Sequence, residues 1–124
     1  IFIKKNELKE EYTYGSIKIE KLSSNNSINN QYDKINAIKI DDLKFDRKIS
    51  AMKIDVEGYD LDVLKGAERT IIQHKMPIIF ECNYKNKDNY TLDNFEKFLK
   101  KINYKIVNKI DEINYLTLPD NYIA

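Results

Sequence analysis

The 124 residues of the chain include 21 Lys and Arg against 20 Asp and Glu, a net charge of +1, and are 42% hydrophobic and 33% charged. This composition indicates one globular domain, and we interpret residues 1–124 as a single domain rather than a disordered segment. Because both signs of charge are interleaved, we expect no nucleic-acid partner. The sequence also contains no run of about 18 apolar residues, the length that a membrane-spanning helix needs, so we expect no membrane span.

The first third of the chain predicts two short strands separated by a polar loop. The run GSIKIEKL at 15–22 alternates apolar and polar residues, as an edge or hairpin strand does. Turn-forming residues dominate SSNNSINN, and we predict an exposed loop over 23–33. The run KINAIKIDDL at 34–43 alternates again and predicts a second strand.

A strand followed by a helix is predicted in the middle of the chain. In ISAMKIDVEG at 49–58 every second residue from Met52 is apolar, which is typical of a strand with one buried face. After Gly58 the apolar residues change to helical spacing, and Asp60 is placed to cap the first turn of the helix. The predicted helix ends before Pro77, which cannot continue it.

The last third predicts a strand, a helix and a hairpin. PIIFECN at 77–83 is a short apolar run, and a helix with a regular apolar stripe opens at Thr91. The tail YKIVNKIDEINYLTLP at 104–119 contains two strand-like runs around an acidic turn. This order predicts an α/β fold with a parallel central sheet and a closing antiparallel hairpin.

Three carboxylates follow the ends of two successive predicted strands. Asp55 and Glu57 close the strand at 49–58, and Glu81 closes the next one. Ligands of open parallel α/β sheets bind outside the carboxyl ends of the strands, so we expect these side chains to share one crevice. Strand alternation would place Asp55 and Glu57 on the same side of the pleat, about 6–7 Å apart. Such a cluster should raise at least one pKa or attract a cation.

Other interpretations of these acids stay open at this point. The carboxylates could satisfy backbone donors at a strand end and have no chemical role. As an oxygen-rich group they could also hold Mg²⁺, which would make the protein a divalent-metal-dependent enzyme, although we do not expect a bound metal. A third alternative is a non-catalytic α/β interaction module.

One stretch of the sequence resembles a known family. MKIDVEGYDLDVLKGAERTI at 52–71, followed by MPIIFE at 76–81, is similar to the FkbM family of S-adenosylmethionine-dependent methyltransferases. The shared pattern is K-I-D-V-E-G, an acid two residues later, V-L-x-G, and a strand ending in Glu. The upstream INAIKIDDL resembles the family's strand and Leu-Asp-Asp-Leu turn, and the whole similarity covers about residues 34–119.

The resemblance implies a class I methyltransferase fold, whose Rossmann-like sheet has an antiparallel last strand. It also implies O-methylation of a sugar or other small-molecule hydroxyl, with S-adenosylmethionine as cofactor and a small molecule or glycan as the acceptor. On this basis Asp55 and Glu57 would position the substrate or remove the hydroxyl proton, and Glu81 would assist them.

The sequence departs from the family pattern in its glycines. The family's cofactor half contains a glycine-rich turn, but this chain has only Gly15, Gly58 and Gly66, none of them in such a turn. We therefore expect the cofactor-binding residues, and the rest of the domain, upstream of Ile1, and interpret the sequence as the C-terminal part of a methyltransferase domain that is inactive alone. The single Cys82 and the cofactor predict a cytoplasmic location.

Overall fold

The computed structural model describes residues 36–83 and 91–123, and the backbone of three short strands before them, at 2–4, 19–20 and 32–34. The chain divides into two compact units, residues 1–38 and 39–124. The interpretation of residues 1–124 as one partial domain stays a prediction. In the part of the chain that the structure describes, no helix is both long enough and apolar enough to cross a membrane.

The first unit contains a small antiparallel sheet. Its strands are β1 (Phe2–Lys4), β2 (Ile19–Glu20) and β3 (Tyr32–Lys34), in the order β2-β1-β3. The strand predicted at 15–22 is confirmed for the residues of β2, which lies at an edge of this sheet. The loop predicted over 23–33 overlaps β3 at its last two residues, and the remainder of that loop lies outside the described residues.

The second unit alternates strands and helices as the sequence predicts. Its elements are a 3-10 turn (Ile40–Asp42), β4 (Met52–Lys53), α1 (Asp60–Gly66), α2 (Glu68–His74), β5 (Ile78–Glu81), α3 (Leu92–Lys101), β6 (Tyr104–Lys109) and β7 (Asn114–Pro119). The order of strand, helix, strand, helix and hairpin is thus confirmed.

The four strands of this unit form one sheet in the order β4-β5-β7-β6. β4 and β5 are parallel, with Met52 opposite Ile78, whereas β7 is antiparallel to both β5 and β6. The hairpin therefore folds back and inserts its second strand between β5 and β6. The predicted antiparallel strand lies inside the sheet rather than at its edge.

An aromatic stack joins the sheet to α3. Phe80, which is fully buried, stacks on Phe95 at 4.6 Å between ring centroids and on Tyr115 at 5.7 Å. Alternate residues of β5 are buried, so one face of the strand supplies Ile78 and Phe80 to this core. Burying each side chain of this size stabilises the fold by roughly 1.5–3 kcal/mol, which fixes β5 in the centre of the sheet.

Two predicted elements differ from the structure. The helix predicted after Gly58 is two helices that meet at Ala67, although the apolar stripe continues through both, and Ala67 and Ile71 are completely buried. The strand predicted over 34–43 is wrong from Asn36 onward, because residues 36–39 have no regular structure and a 3-10 turn follows.

Asp41 in this 3-10 turn explains both differences. The first N–H groups of a helix have no partner within it, and Ala67, at the N-cap of α2, has no side-chain acceptor. Asp41 supplies the acceptors instead: its Oδ2 accepts a hydrogen bond from Arg69 N at 3.0 Å, and its Oδ1 from Thr70 N at 2.9 Å and Thr70 Oγ1 at 2.8 Å. A carboxylate distant in sequence therefore caps α2 and holds the turn against it.

We expect Asp41→Ala to lower the free energy of unfolding by about 2 kcal/mol, because it removes the cap and leaves N–H groups unpaired. Asp42→Ala is the matched control, since Asp42 is exposed and its substitution should change stability by less than about 0.5 kcal/mol. Urea denaturation followed by circular dichroism measures both. Equal effects of the two substitutions would contradict the capping role.

The same cap predicts a pH dependence. Burial raises the pKa of Asp41, but hydrogen bonds from Thr70 and Arg69 outweigh burial and bring the pKa below its ordinary value of 3.8. A lowered pKa stabilises the folded state above the unfolded-state value, and this stabilisation is lost as pH falls through the folded-state value. The stability difference between the wild type and Asp41→Ala should therefore shrink below pH 3.8. Denaturation curves at stepped pH test this.

Candidate active site

Asp55 and Glu81 meet where the two parallel strands end. Lys53 pairs with Ile79, and Ile54 N donates a hydrogen bond to Ile79 O at 2.8 Å, so the two chains stay in register to the end of β4. Two residues further along each chain, this register leads to Asp55 and Glu81, and the charge of Asp55 acts on Glu81. The structure thus brings these two predicted site residues together.

Glu57 reaches the same edge through a turn. Glu57 and Gly58 both have positive φ, 50° and 86°, and Tyr59 N donates to Val56 O at 3.3 Å. Two central residues with positive φ are typical of a type I′ turn. The strand was predicted to continue through Glu57, but β4 ends at Lys53, so strand alternation does not determine the side on which Glu57 lies.

Asp60, which was predicted to cap the helix, also belongs to this group of acids. The predicted cap is wrong, because Tyr59 is the N-cap of α1 and no side chain caps this helix end. Asp60 is only 1% exposed, and its Oδ1 accepts a hydrogen bond from Glu81 N at 3.0 Å. The family pattern contains an acid two residues after the glycine, and this could have indicated Asp60 as a site residue.

These charges act together on Glu81, which is half-buried. Burial raises the pKa of Glu81, and the neighbouring charges of Asp55, Asp60 and Glu57 raise it further, while Lys53 opposes them. Burial also raises the pKa of Asp60, against hydrogen bonds from backbone N–H groups, that of Glu81 first among them. The four carboxylates therefore form one electrostatically linked cluster.

Lys53 is the cation beside this cluster. Its Nζ lies 3.7 Å from Asp55 Oδ2 and donates hydrogen bonds to Asn114 Oδ1 at 3.1 Å and to Ile54 O at 3.2 Å. The side chains of Lys53 and Asp55 are 49% and 57% exposed, and a pair this exposed contributes at most about 1 kcal/mol. Its main effect is to compensate part of the negative charge.

The cluster does not have the geometry of a metal site. Among the described residues, no group of three or more His, Cys, Asp or Glu side chains is arranged to hold a metal ion. Nor do the described glycines form a cofactor turn, because Gly58 stands alone in the turn after β4 and Gly66 lies at the end of α1. A cleft of about 320 Å³ beside α2 is lined by other residues, including Asp41, Arg69 and His74.

The strand order β4-β5-β7-β6, with β7 antiparallel inside an otherwise parallel set, is that of a mixed α/β protein and is consistent with part of a methyltransferase fold. Comparison of sequences agrees: the profile of the Methyltransferase FkbM domain matches residues 2–106. The chain belongs to this family.

One solved structure is similar to part of the chain. It is the crystal structure of the methyltransferase FkbM from Methylobacillus flagellatus KT, with 29% sequence identity and a TM-score of 0.43. The similarity covers 64% of this chain but 21% of that one, so this chain corresponds to a small part of the other protein's length. Comparison with curated proteins gives no significant match.

Substitutions of two glycines by alanine should have opposite effects on stability, because Gly58 lies in the turn beside Glu57 and Gly66 lies in α1. Gly58→Ala should lower the free energy of unfolding by about 1 kcal/mol, because an L residue is strained at positive φ even though no atom lies within 4 Å of the added Cβ. Gly66→Ala should leave stability unchanged or raise it by up to about 1 kcal/mol, since alanine favours a helix and its Cβ would lie 3.6 Å from Lys39 Cγ.

Thermal and urea denaturation of both variants measure this difference. A Gly58→Ala variant at least as stable as the Gly66→Ala variant would contradict the positive φ of the turn.

Proposed function

We propose that this chain is the C-terminal part of a methyltransferase that uses S-adenosylmethionine to methylate a hydroxyl group of a sugar or another small molecule. Membership of the FkbM domain family supports the reaction class. The observation that carries the proposal is the half-buried Glu81, surrounded by Asp55, Glu57 and Asp60 at the carboxyl ends of β4 and β5.

The described residues do not themselves make a site for the cofactor, whose binding residues we expect in the preceding half of the domain. S-adenosylmethionine, when bound, supplies a methyl group already activated by the sulfonium. The residues of this chain would then orient the acceptor hydroxyl and take its proton, functions that positioning and general base catalysis perform.

Glu81 is the best suited of the predicted residues to act as the base. The pKa of Glu81 is raised towards neutral pH, and a base whose pKa is closer to the working pH accepts a proton more effectively in the transition state. Asp55 and Glu57 are more exposed and lie around it, where they could accept hydrogen bonds from further hydroxyl groups of the acceptor. This assignment reverses the expected order, in which Asp55 and Glu57 came first and Glu81 assisted.

A carboxylate-rich rim suits a polyhydroxylated acceptor. Hydroxyl groups donate to carboxylates, and such acceptors include sugars, glycans and other small polar molecules. We therefore retain a small-molecule or glycan acceptor as the partner, and the cytoplasm as the compartment where the cofactor is available.

The test is methyl transfer from radiolabelled S-adenosylmethionine to a panel of sugars and other hydroxylated small molecules, with the protein expressed from its complete reading frame. We expect Glu81→Gln to lower kcat by about 10²–10⁴-fold, because the amide cannot accept the proton. Asp55→Asn and Glu57→Gln should act mainly on KM, since both retain polar groups of the same shape.

Glu96→Gln on the exposed face of α3 is the matched control and should leave turnover unchanged. Full turnover in Glu81→Gln would remove Glu81 from the mechanism. If the wild type transfers no methyl group to any acceptor and does not bind S-adenosylmethionine in calorimetry, the non-catalytic interaction module becomes the better interpretation.

A further inference from the structure

Asp60 is buried, although an acid in the first turn of a helix does not need to be. It is 1% exposed, and its Oδ2 has no hydrogen-bond partner among the described residues. Removing a carboxylate from water is costly unless both oxygens are paired, so an exposed acid at the start of α1 would serve the helix better. Asp60 Oδ1 accepts a hydrogen bond from another element, from Glu81 N at 3.0 Å.

That hydrogen bond ties the start of α1 to the last residue of β5. On one side of Glu81, β7 pairs with it through Asn114, and on the other side β4 has already ended at Lys53. The Glu81 N–H therefore finds its partner in Asp60 rather than in a strand. The bond fixes the backbone of the residue that carries the proposed base.

We propose that Asp60 is a positioning residue, which holds the end of β5 through the Glu81 N–H so that the Glu81 carboxylate stays among Asp55 and Glu57. This inference rests on the proposed function, because the position matters only if Glu81 takes the acceptor's proton. Asp60 itself does not contact the acceptor.

The charged groups that act on Glu81 come from several parts of the described chain. β4 contributes Lys53, the chain after β4 contributes Asp55, the turn contributes Glu57, and α1 contributes Asp60. The residue of β7 paired with Glu81 is Asn114, which is uncharged. Because Asp60 is one of the negative charges that raise the pKa of Glu81, its removal should lower that pKa.

Two substitutions of Asp60 separate its acceptor from its charge. Asp60→Asn keeps an Oδ1 that can accept from Glu81 N but removes the charge, whereas Asp60→Ala removes both. We expect Asp60→Asn to lose much less kcat than Asp60→Ala, with the acid limb of its pH–rate profile moved to lower pH. Asp60→Ala should lose about 10²-fold in kcat, as a small displacement of a catalytic group can cause.

Circular dichroism establishes that each variant is folded, and NMR of the Glu81 amide proton reports the hydrogen bond directly. Its downfield shift should persist in Asp60→Asn and disappear in Asp60→Ala. If Asp60→Ala does not fold, the pH–rate profile of Asp60→Asn decides alone. Equal kcat in all folded forms, or an unmoved acid limb in Asp60→Asn, would overturn the proposal.

Different measurements test the proposed function and the positioning role of Asp60. An inactive wild type contradicts the proposed function, whatever happens at Asp60. With an active wild type, the Asp60 variants test only the positioning role. An NMR titration of the Glu81 carboxyl, which needs no turnover, should show a lower pKa in Asp60→Asn, and an unchanged pKa would contradict the link between these two residues.

Discussion

The hydrogen bonds between β4 and β5 determine where four carboxylates meet. β4 is only two residues long, yet its parallel pairing fixes which residues leave the sheet side by side. A shift of the register by one residue would turn every side chain of β4 to the opposite face. Burial of Ile54 and Ile78 in the core opposes such a shift, so the hydrophobic core indirectly sets the electrostatics of the candidate site.

Gathering like charges is unfavourable, and the structure limits the cost in different ways for each acid. Asp55 is exposed and has Lys53 nearby, so water and a cation screen it. Asp60 is buried and accepts a backbone hydrogen bond. Glu81 is only half-buried and retains a raised pKa. Neighbouring acids in such different environments, one of them with a raised pKa, are typical of functional sites.

The fold explains why this edge, rather than another part of the sheet, can carry chemistry. β7 enters between β5 and β6, and the rings of Phe80, Phe95 and Tyr115 stack at the centre of the sheet. The turn at Glu57 and Gly58 then projects from a fixed base. Side chains held by rigid elements keep their geometry better than those on long loops, which is what positioning of an acceptor demands.

The sequence by itself determined the order of elements, the apolar stripes and the carboxylates at the strand ends, because these depend on local periodicity and on residue type. The predicted strand at 34–43 and the unbroken helix failed because Asp41 bonds to Arg69 and Thr70, far along the chain. The burial of Asp60 could not be predicted from local sequence either, since its hydrogen-bond partner Glu81 lies 21 residues away. The tertiary structure determines which distant N–H group donates a hydrogen bond to a carboxylate, and local sequence periodicity does not predict that pairing.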